Sequence, residues 1–161
     1  MTSSVRRVGV LALQGDFREH LSVLNELGAH TVEVRVPHDL ESVDALIVPG
    51  GESTTIGRLA TLYGMIEPLR KHIKHGMPTL GTCAGMIFLA SRVTDGDQPL
   101  IGALEASVER NAFGRQNESF EVDIPVKGLG DPVRAVFIRA PLIEEVGDGV
   151  EVLARHRGRP V

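Results

Sequence analysis

The chain's single cysteine stands in Gly81-Thr82-Cys83-Ala84-Gly85, after the short run Pro78-Thr79-Leu80 and ahead of the apolar Met86-Ile87-Phe88-Leu89. This is the thiol counterpart of the G-x-S-x-G nucleophile elbow, where small neighbours let a strand-to-helix turn lift a reactive side chain above a sheet. Gly81 and Gly85 are expected to let the backbone bend there. A helix starting at Ala84 aims N–H groups and its positive dipole end at the sulfur, which favours the thiolate. The Ala84 N–H also points to where an oxyanion forms when the sulfur attacks a carbonyl, and losing one such donor costs about a hundredfold to a thousandfold in rate. A buried cysteine filling a small gap is the bland fate of a lone thiol, but it needs neither glycine.

The second chemical signal is Pro49-Gly50-Gly51-Glu52-Ser53-Thr54, at the end of the apolar run Ala45–Val48. Two glycines there permit close backbone approach and positive φ, so the Gly51 N–H can supply another oxyanion donor. Ser53 or Thr54 is expected to cap the helix that follows. No G-K-[ST] follows the glycines, so this is not a phosphate loop.

Both signals must be positioned by alternating strands and helices. Residues 7–13 form a nearly continuous apolar run, as in a strand buried on both faces. From Asp16, Phe17, Leu21, Leu24 and Leu27 recur at helical spacing, and Gly28 follows as a C-terminal cap. Residues 31–36 alternate as a second strand, and residues 45–51, ending in a turn, read as a third. One or two helices cover 54–75, interrupted near Gly64 and broken at Gly76 and Pro78. A fourth strand and a helix from Ala84 complete the pattern. Such βαβ units imply a parallel sheet flanked by helices, with ligands at the carboxyl ends of the strands. Gln14, Gly50-Gly51 and Cys83 all fall at those ends. Beyond residue 95 shorter strands are expected, with the stretches 133–141 and 149–161 among them.

Composition narrows the function classes. A chain of 161 residues suits one compact domain over 1–161, and 42% hydrophobic with 24% charged residues is ordinary for a globular protein. A formal net charge of −4 without long Lys/Arg blocks argues against nucleic acid. One cysteine makes no internal disulfide, and the N-terminal apolar run is too short for a signal peptide or membrane span, so a cytoplasmic location is expected. The scattered histidines and lone cysteine seed no metal site, and Asp95 with Asp97 reads as a turn rather than a calcium loop. No cofactor or metal is expected.

LALQGDFREH, PGGEST, GTCAGM, VERNAFGRQ, SFE and VFIRAP, in this order along essentially the whole chain, resemble the glutaminase subunits of pyridoxal 5'-phosphate synthases, a branch of the class I glutamine amidotransferases. G-x-C-x-G is shared across the class, whereas RNAFGRQ combined with FIRAP narrows the resemblance to this branch. It implies a flavodoxin-like three-layer α/β/α sandwich with a mainly parallel central sheet. It also implies hydrolysis of L-glutamine to glutamate and ammonia, with the ammonia passed to a separate (β/α)8-barrel synthase subunit. Carried over by position, it makes Cys83 the nucleophile that forms a glutamyl thioester, with Gly51 and Ala84 as the oxyanion hole. Gly51, Glu52, Ser53, Arg110, Ile138 and Arg139 become the glutamine-binding residues. An arginine suits that task, since its fork can hold an α-carboxylate through two parallel charge-assisted bonds.

One departure stands beside the matches. The family completes its machinery with a His-x-Glu pair in the segment after Val161, so the single domain is expected to lack its C-terminal segment. Thiol chemistry needs a general acid and base near the sulfur, a task His performs best near neutral pH. None of the six histidines is assigned to it: His20 lies on the first helix, His30 and His38 flank the second strand, His72 and His75 end a helix, and His156 lacks a Glu two residues on. Alternatives are a non-catalytic binding subunit, a class I amidotransferase of another pathway, and a Cys-dependent hydrolase or deglycase of similar fold.

Overall fold

A computed structural model describes residues 6–110 and 119–161. Strands β1 (Arg7–Leu11), β2 (His30–Val34), β3 (Ala45–Val48) and β4 (Thr79–Gly81) form one parallel sheet in the order β2-β1-β3-β4. Val10 of β1 sits between Glu33 and Ile47, and Val48 of β3 lies opposite Gly81. Val10, Leu11, Val34, Leu46 and Val48 are buried, as expected for short apolar strands covered on both faces. Helices α1 (Phe17–Glu26), α2 (Ser53–Leu62), α3 (Ile66–Lys74) and α4 (Ala84–Leu89) alternate with these strands, and a 3₁₀ helix at Pro37–Ser42 carries the chain from β2 to β3. The α/β class with a mainly parallel central sheet is therefore the one observed. The strand order reverses between β1 and β3, and in such sheets the ligand crevice lies at that switch point.

Local signals account for most helix ends. α1 stops where Gly28 takes φ +76°, with Gly28 N–H donating to the Asn25 carbonyl and Ala29 N–H to the Leu24 carbonyl. α2 and α3 part around Gly64, where buried Met65 donates its N–H to the Ala60 carbonyl at 2.7 Å. His30, expected to flank the second strand, is its first residue, opposite Arg7.

The chain forms two compact units. Residues up to Leu89 together with Gln98–Ala103 make the first, and Ala90–Asp97 together with Leu104–Val161 make the second. The 98–103 segment joins the first unit through main-chain bonds from Ile101 to Phe88 (2.8 Å) and Ala103 to Leu89 (2.9 Å). Arg70 of α3 adds bonds to the Ile101 and Leu100 carbonyls and an ion pair with Glu67.

In the second unit, β5 (Ala90–Val93) pairs in parallel with β6 (Leu104–Glu109), a strand at 90–93 that the sequence pattern does not announce. β7 (Phe120–Ile124) and β8 (Val133–Phe137) form an antiparallel pair, and β9 (Leu142–Val146) runs antiparallel to β6. The strand expected across 149–161 is not continuous. Residues 150–154 are irregular, and only β10 (Arg155–His156) and β11 (Arg159–Pro160) pair. Arg157 and Gly158 take φ +49° and +81°, the two-residue turn that folds a strand back as a hairpin. His156 packs against Phe120 and Phe137, whose rings stack 4.8 Å apart. Among the described residues no helix is long and apolar enough to cross a membrane.

Candidate active site

The cysteine turn begins where β4 ends. Thr82 N–H donates to the Val48 carbonyl (3.1 Å), and Gly85 N–H and the Thr82 carbonyl close the turn (2.8 Å) before α4 starts. Neither Gly81 nor Gly85 has positive φ; the left-handed conformation in this turn falls on Cys83 itself, at +49°. A non-glycine residue pays of order 1–3 kcal/mol for such a conformation, and strain of this kind concentrates at functional sites. The glycines instead provide room. A Cβ on Gly85 would lie 1.9 Å from the Val48 carbonyl oxygen, and one on Gly81 would lie 2.7 Å from Leu89 Cδ1 and 2.8 Å from Met86 N.

Solvent reaches Cys83, yet the thiol pKa is raised rather than lowered. Burial of the sulfur is the largest cause, and the negative charge of Asp16 adds to it; a hydrogen bond from the Ala84 N–H pulls the other way without prevailing. The expected preference for thiolate is thus overturned in this state. α4 has only six residues, so one amide donor and a short dipole face desolvation and a carboxylate. The Ala84 N–H is directed at the Cys83 sulfur.

The turn after β3 meets the turn after β1. Gly51 has φ +147°, and a Cβ there would stand 2.6 Å from Gln14 Oε1 and 2.8 Å from Gly15 Cα, so this position requires glycine both for conformation and for space. The Glu52 N–H donates to Gln14 Oε1 (2.8 Å), and the Asp16 N–H donates to the Gly50 carbonyl (3.0 Å). A Cβ on Gly50 would be 3.3 Å from Asp16 Oδ2 and 3.7 Å from Cys83 Cβ, which places the acid, the double glycine and the thiol around one point. His20, one turn into α1 from Asp16, contacts Thr82 Oγ1 through Nε2 (3.2 Å).

The helix cap differs from expectation. Glu52, not Ser53 or Thr54, caps α2: its carboxylate accepts from Thr54 N–H (3.1 Å) and Thr55 N–H (2.7 Å) and from Thr55 Oγ1 (2.6 Å). The Thr55 hydroxyl is the main reason the Glu52 carboxyl sits below the usual carboxylate range, against a smaller opposing effect of burial. Ser53 is buried and donates to Gln98 Oε1 (3.1 Å), as Thr54 Oγ1 also does (3.3 Å).

Gly51, Glu52, Ser53, Cys83 and Ala84 all belong to the first unit; Arg110, Ile138 and Arg139 belong to the second. Arg110 follows β6 and is bound to Asp95. Asp95, read from sequence as a turn residue, sits in a bend after β5, and nothing local in the sequence marks it as a partner for an arginine fifteen residues on. Ile138 is exposed, and Arg139 is held at φ +46° between β8 and β9. Residues 111–118, with most of the RNAFGRQ motif, lie outside the described residues. Among the described residues, no group of three or more His, Cys, Asp or Glu is placed to hold a metal ion.

Residues 10–161 match the SNO glutamine amidotransferase family. The chain belongs to that family. Relatives of this SNO chain include the pyridoxal 5'-phosphate synthase subunit PdxT of Roseiflexus sp. (strain RS-1), 59% identical over 150 residues, which cover 91% of this chain and 79% of the relative. PdxT of Parafrankia sp. (strain EAN1pec) is 58% identical over 161 residues, covering 98% and 79%. A crystal structure of a glutamine amidotransferase matches at TM-score 0.90 and 56% identity, over 98% of this chain and 83% of that one. PurLQS from Thermotoga maritima, at TM-score 0.60 and 15% identity over 98% and 77%, shares the fold alone.

Proposed function

We propose that this SNO-family chain is the glutaminase subunit of a pyridoxal 5'-phosphate synthase, hydrolysing L-glutamine to L-glutamate and ammonia for vitamin B6 biosynthesis. Cys83 attacks the side-chain amide carbon; a C–S bond forms, the C–N bond breaks, and the nitrogen takes a proton and leaves as ammonia. Water then cleaves the thioester, releasing glutamate and restoring the thiol. Gly51 and Ala84 N–H groups hold the oxyanion, and Gly51, Glu52, Ser53, Arg110, Ile138 and Arg139 bind the substrate. Deacylation also needs a general base beside the sulfur, a role this proposal gives to none of the six histidines.

The observation that carries the reading is Cys83 at positive φ at the carboxyl end of β4, with the Ala84 N–H on its sulfur and Gly50 against its Cβ. The family match and the PdxT relatives favour the pyridoxal 5'-phosphate branch over another amidotransferase pathway. The match over residues 10–161 also supports a single amidotransferase domain over residues 1–161. The ammonia passes to a (β/α)8-barrel synthase subunit in the cytoplasm, and no metal, cofactor, nucleic acid or membrane takes part.

The test is ammonia release from glutamine with and without a barrel-type synthase partner, for the parent and for Cys83→Ala. Partner-stimulated release that disappears in the variant is the expected result. Undiminished release from Cys83→Ala would refute the nucleophile. Release indifferent to the partner would count against this branch, and an inactive parent complex would favour a binding subunit.

A further inference from the structure

We propose that the Asp95-Gly96 turn is a positioning device for Arg110, setting its guanidinium in the orientation that receives the α-carboxylate of glutamine. The inference rests on the reading of Arg110 as a glutamine-binding residue and deepens it.

Asp95 and Arg110 lie in the same compact unit, and both side chains are largely withdrawn from water, at 21% exposure for Arg110 and 23% for Asp95. Hydrogen bonds tie them. Asp95 Oδ1 accepts from the Arg110 main-chain N–H (3.0 Å) and from Nε (3.3 Å), and the Asp95 carbonyl accepts from Nη2 (2.9 Å). The main-chain bond fixes where the side chain starts, and the other two fix the plane in which its head lies. A planar guanidinium held at Nε and Nη2 has the directions of all its N–H bonds decided. Two parallel N–H bonds in a set direction are what a carboxylate needs for bidentate binding. An arginine ordered before the ligand arrives also loses less side-chain freedom on binding.

Gly96 completes the device by having no side chain. A Cβ there would stand 2.3 Å from Arg110 Nη2 and 3.2 Å from Cζ, and the third nearest atom, Nη1 at 3.8 Å, belongs to the same group. The main chain at Gly96 is not in the left-handed region, so alanine is tolerated by the backbone. The nearest obstacle is the flexible end of Arg110. Gly96→Ala is therefore expected to move the guanidinium without removing its charge or the Asp95 carboxylate.

The test is steady-state glutaminase kinetics in the complex with the synthase partner, for Gly96→Ala, Asp95→Ala, Asp95→Asn and Arg110→Ala. Gly96→Ala and Asp95→Ala are expected to raise KM for glutamine about tenfold with kcat within about twofold, as when uniform binding is lost. Asp95→Asn keeps an acceptor for the Arg110 N–H groups and is expected to restore KM to within about threefold of the parent. Arg110→Ala, which removes the carboxylate's partner, is expected to raise KM by at least about thirtyfold. Parent-like KM in both Gly96→Ala and Asp95→Ala, beside a large effect in Arg110→Ala, would overturn the positioning role and leave Arg110 as the binder. Parent-like KM in Arg110→Ala would overturn the reading beneath it, and the inference with it. A fall in kcat and thermal stability with unchanged KM would mark the turn as structural only, which also overturns the proposal.

Discussion

Gly85 packs against Val48 so closely that a methyl group on it would stand 1.9 Å from the Val48 carbonyl oxygen. The first turn of α4 thus rests directly on the end of β3, and this contact holds the cysteine turn beside the double glycine.

Gly85→Ala is consequently expected to destabilise the chain. The overlap is with main chain, which no rotamer change relieves, so the loss should be at the upper end of the roughly 1–3 kcal/mol typical of overpacking. Urea unfolding measures it. A midpoint equal to the parent's would show that α4 can move off β3 at no cost.

The Cys83 thiol is expected to resist alkylation near neutral pH. Burial and the Asp16 charge both favour the protonated form, so the pH midpoint for reaction with iodoacetamide should lie above the ordinary thiol value in the free chain. Asp16→Asn removes the charge but not the burial, and its midpoint should lie below the parent's. Coincident midpoints would remove Asp16 from the account.

Glu52 links the α2 cap to acid stability. Its pKa in the fold lies below the ordinary 4.5, so the cap's contribution is fully present above that pH and is lost as pH falls through the depressed value. Glu52→Ala should cost about 1 kcal/mol at pH 7, the usual size for a lost cap. The difference between parent and variant should shrink below about pH 4.5, followed by urea midpoints over that range. A constant difference down to pH 3 would mean that the ionised carboxylate is not the cap.

Much of the first unit is legible along the chain. The four strands of the parallel sheet, the break near Gly64, the cap at Gly28 and the convergence of Gln14, Gly50-Gly51 and Cys83 at the carboxyl edge all follow from apolar periodicity and turn chemistry. These depend on interactions over a few residues. The second unit is less legible because β5 and β9 are short strands without strict alternation, and because the Arg157-Gly158 turn divides what reads as one strand.

By itself the amino-acid sequence determined which residues can react and the order of elements that carries them to one sheet edge, since composition, period and glycine placement act locally. Only the tertiary structure decided that Cys83 rather than its glycines takes the strained φ, that burial and Asp16 push its thiol pKa up, and that Asp95 grips Arg110. Those outcomes depend on atoms from segments far apart in sequence being brought within a few ångströms. Overlap and Coulomb interaction act at that range, whereas a sequence pattern reports only neighbours along the chain.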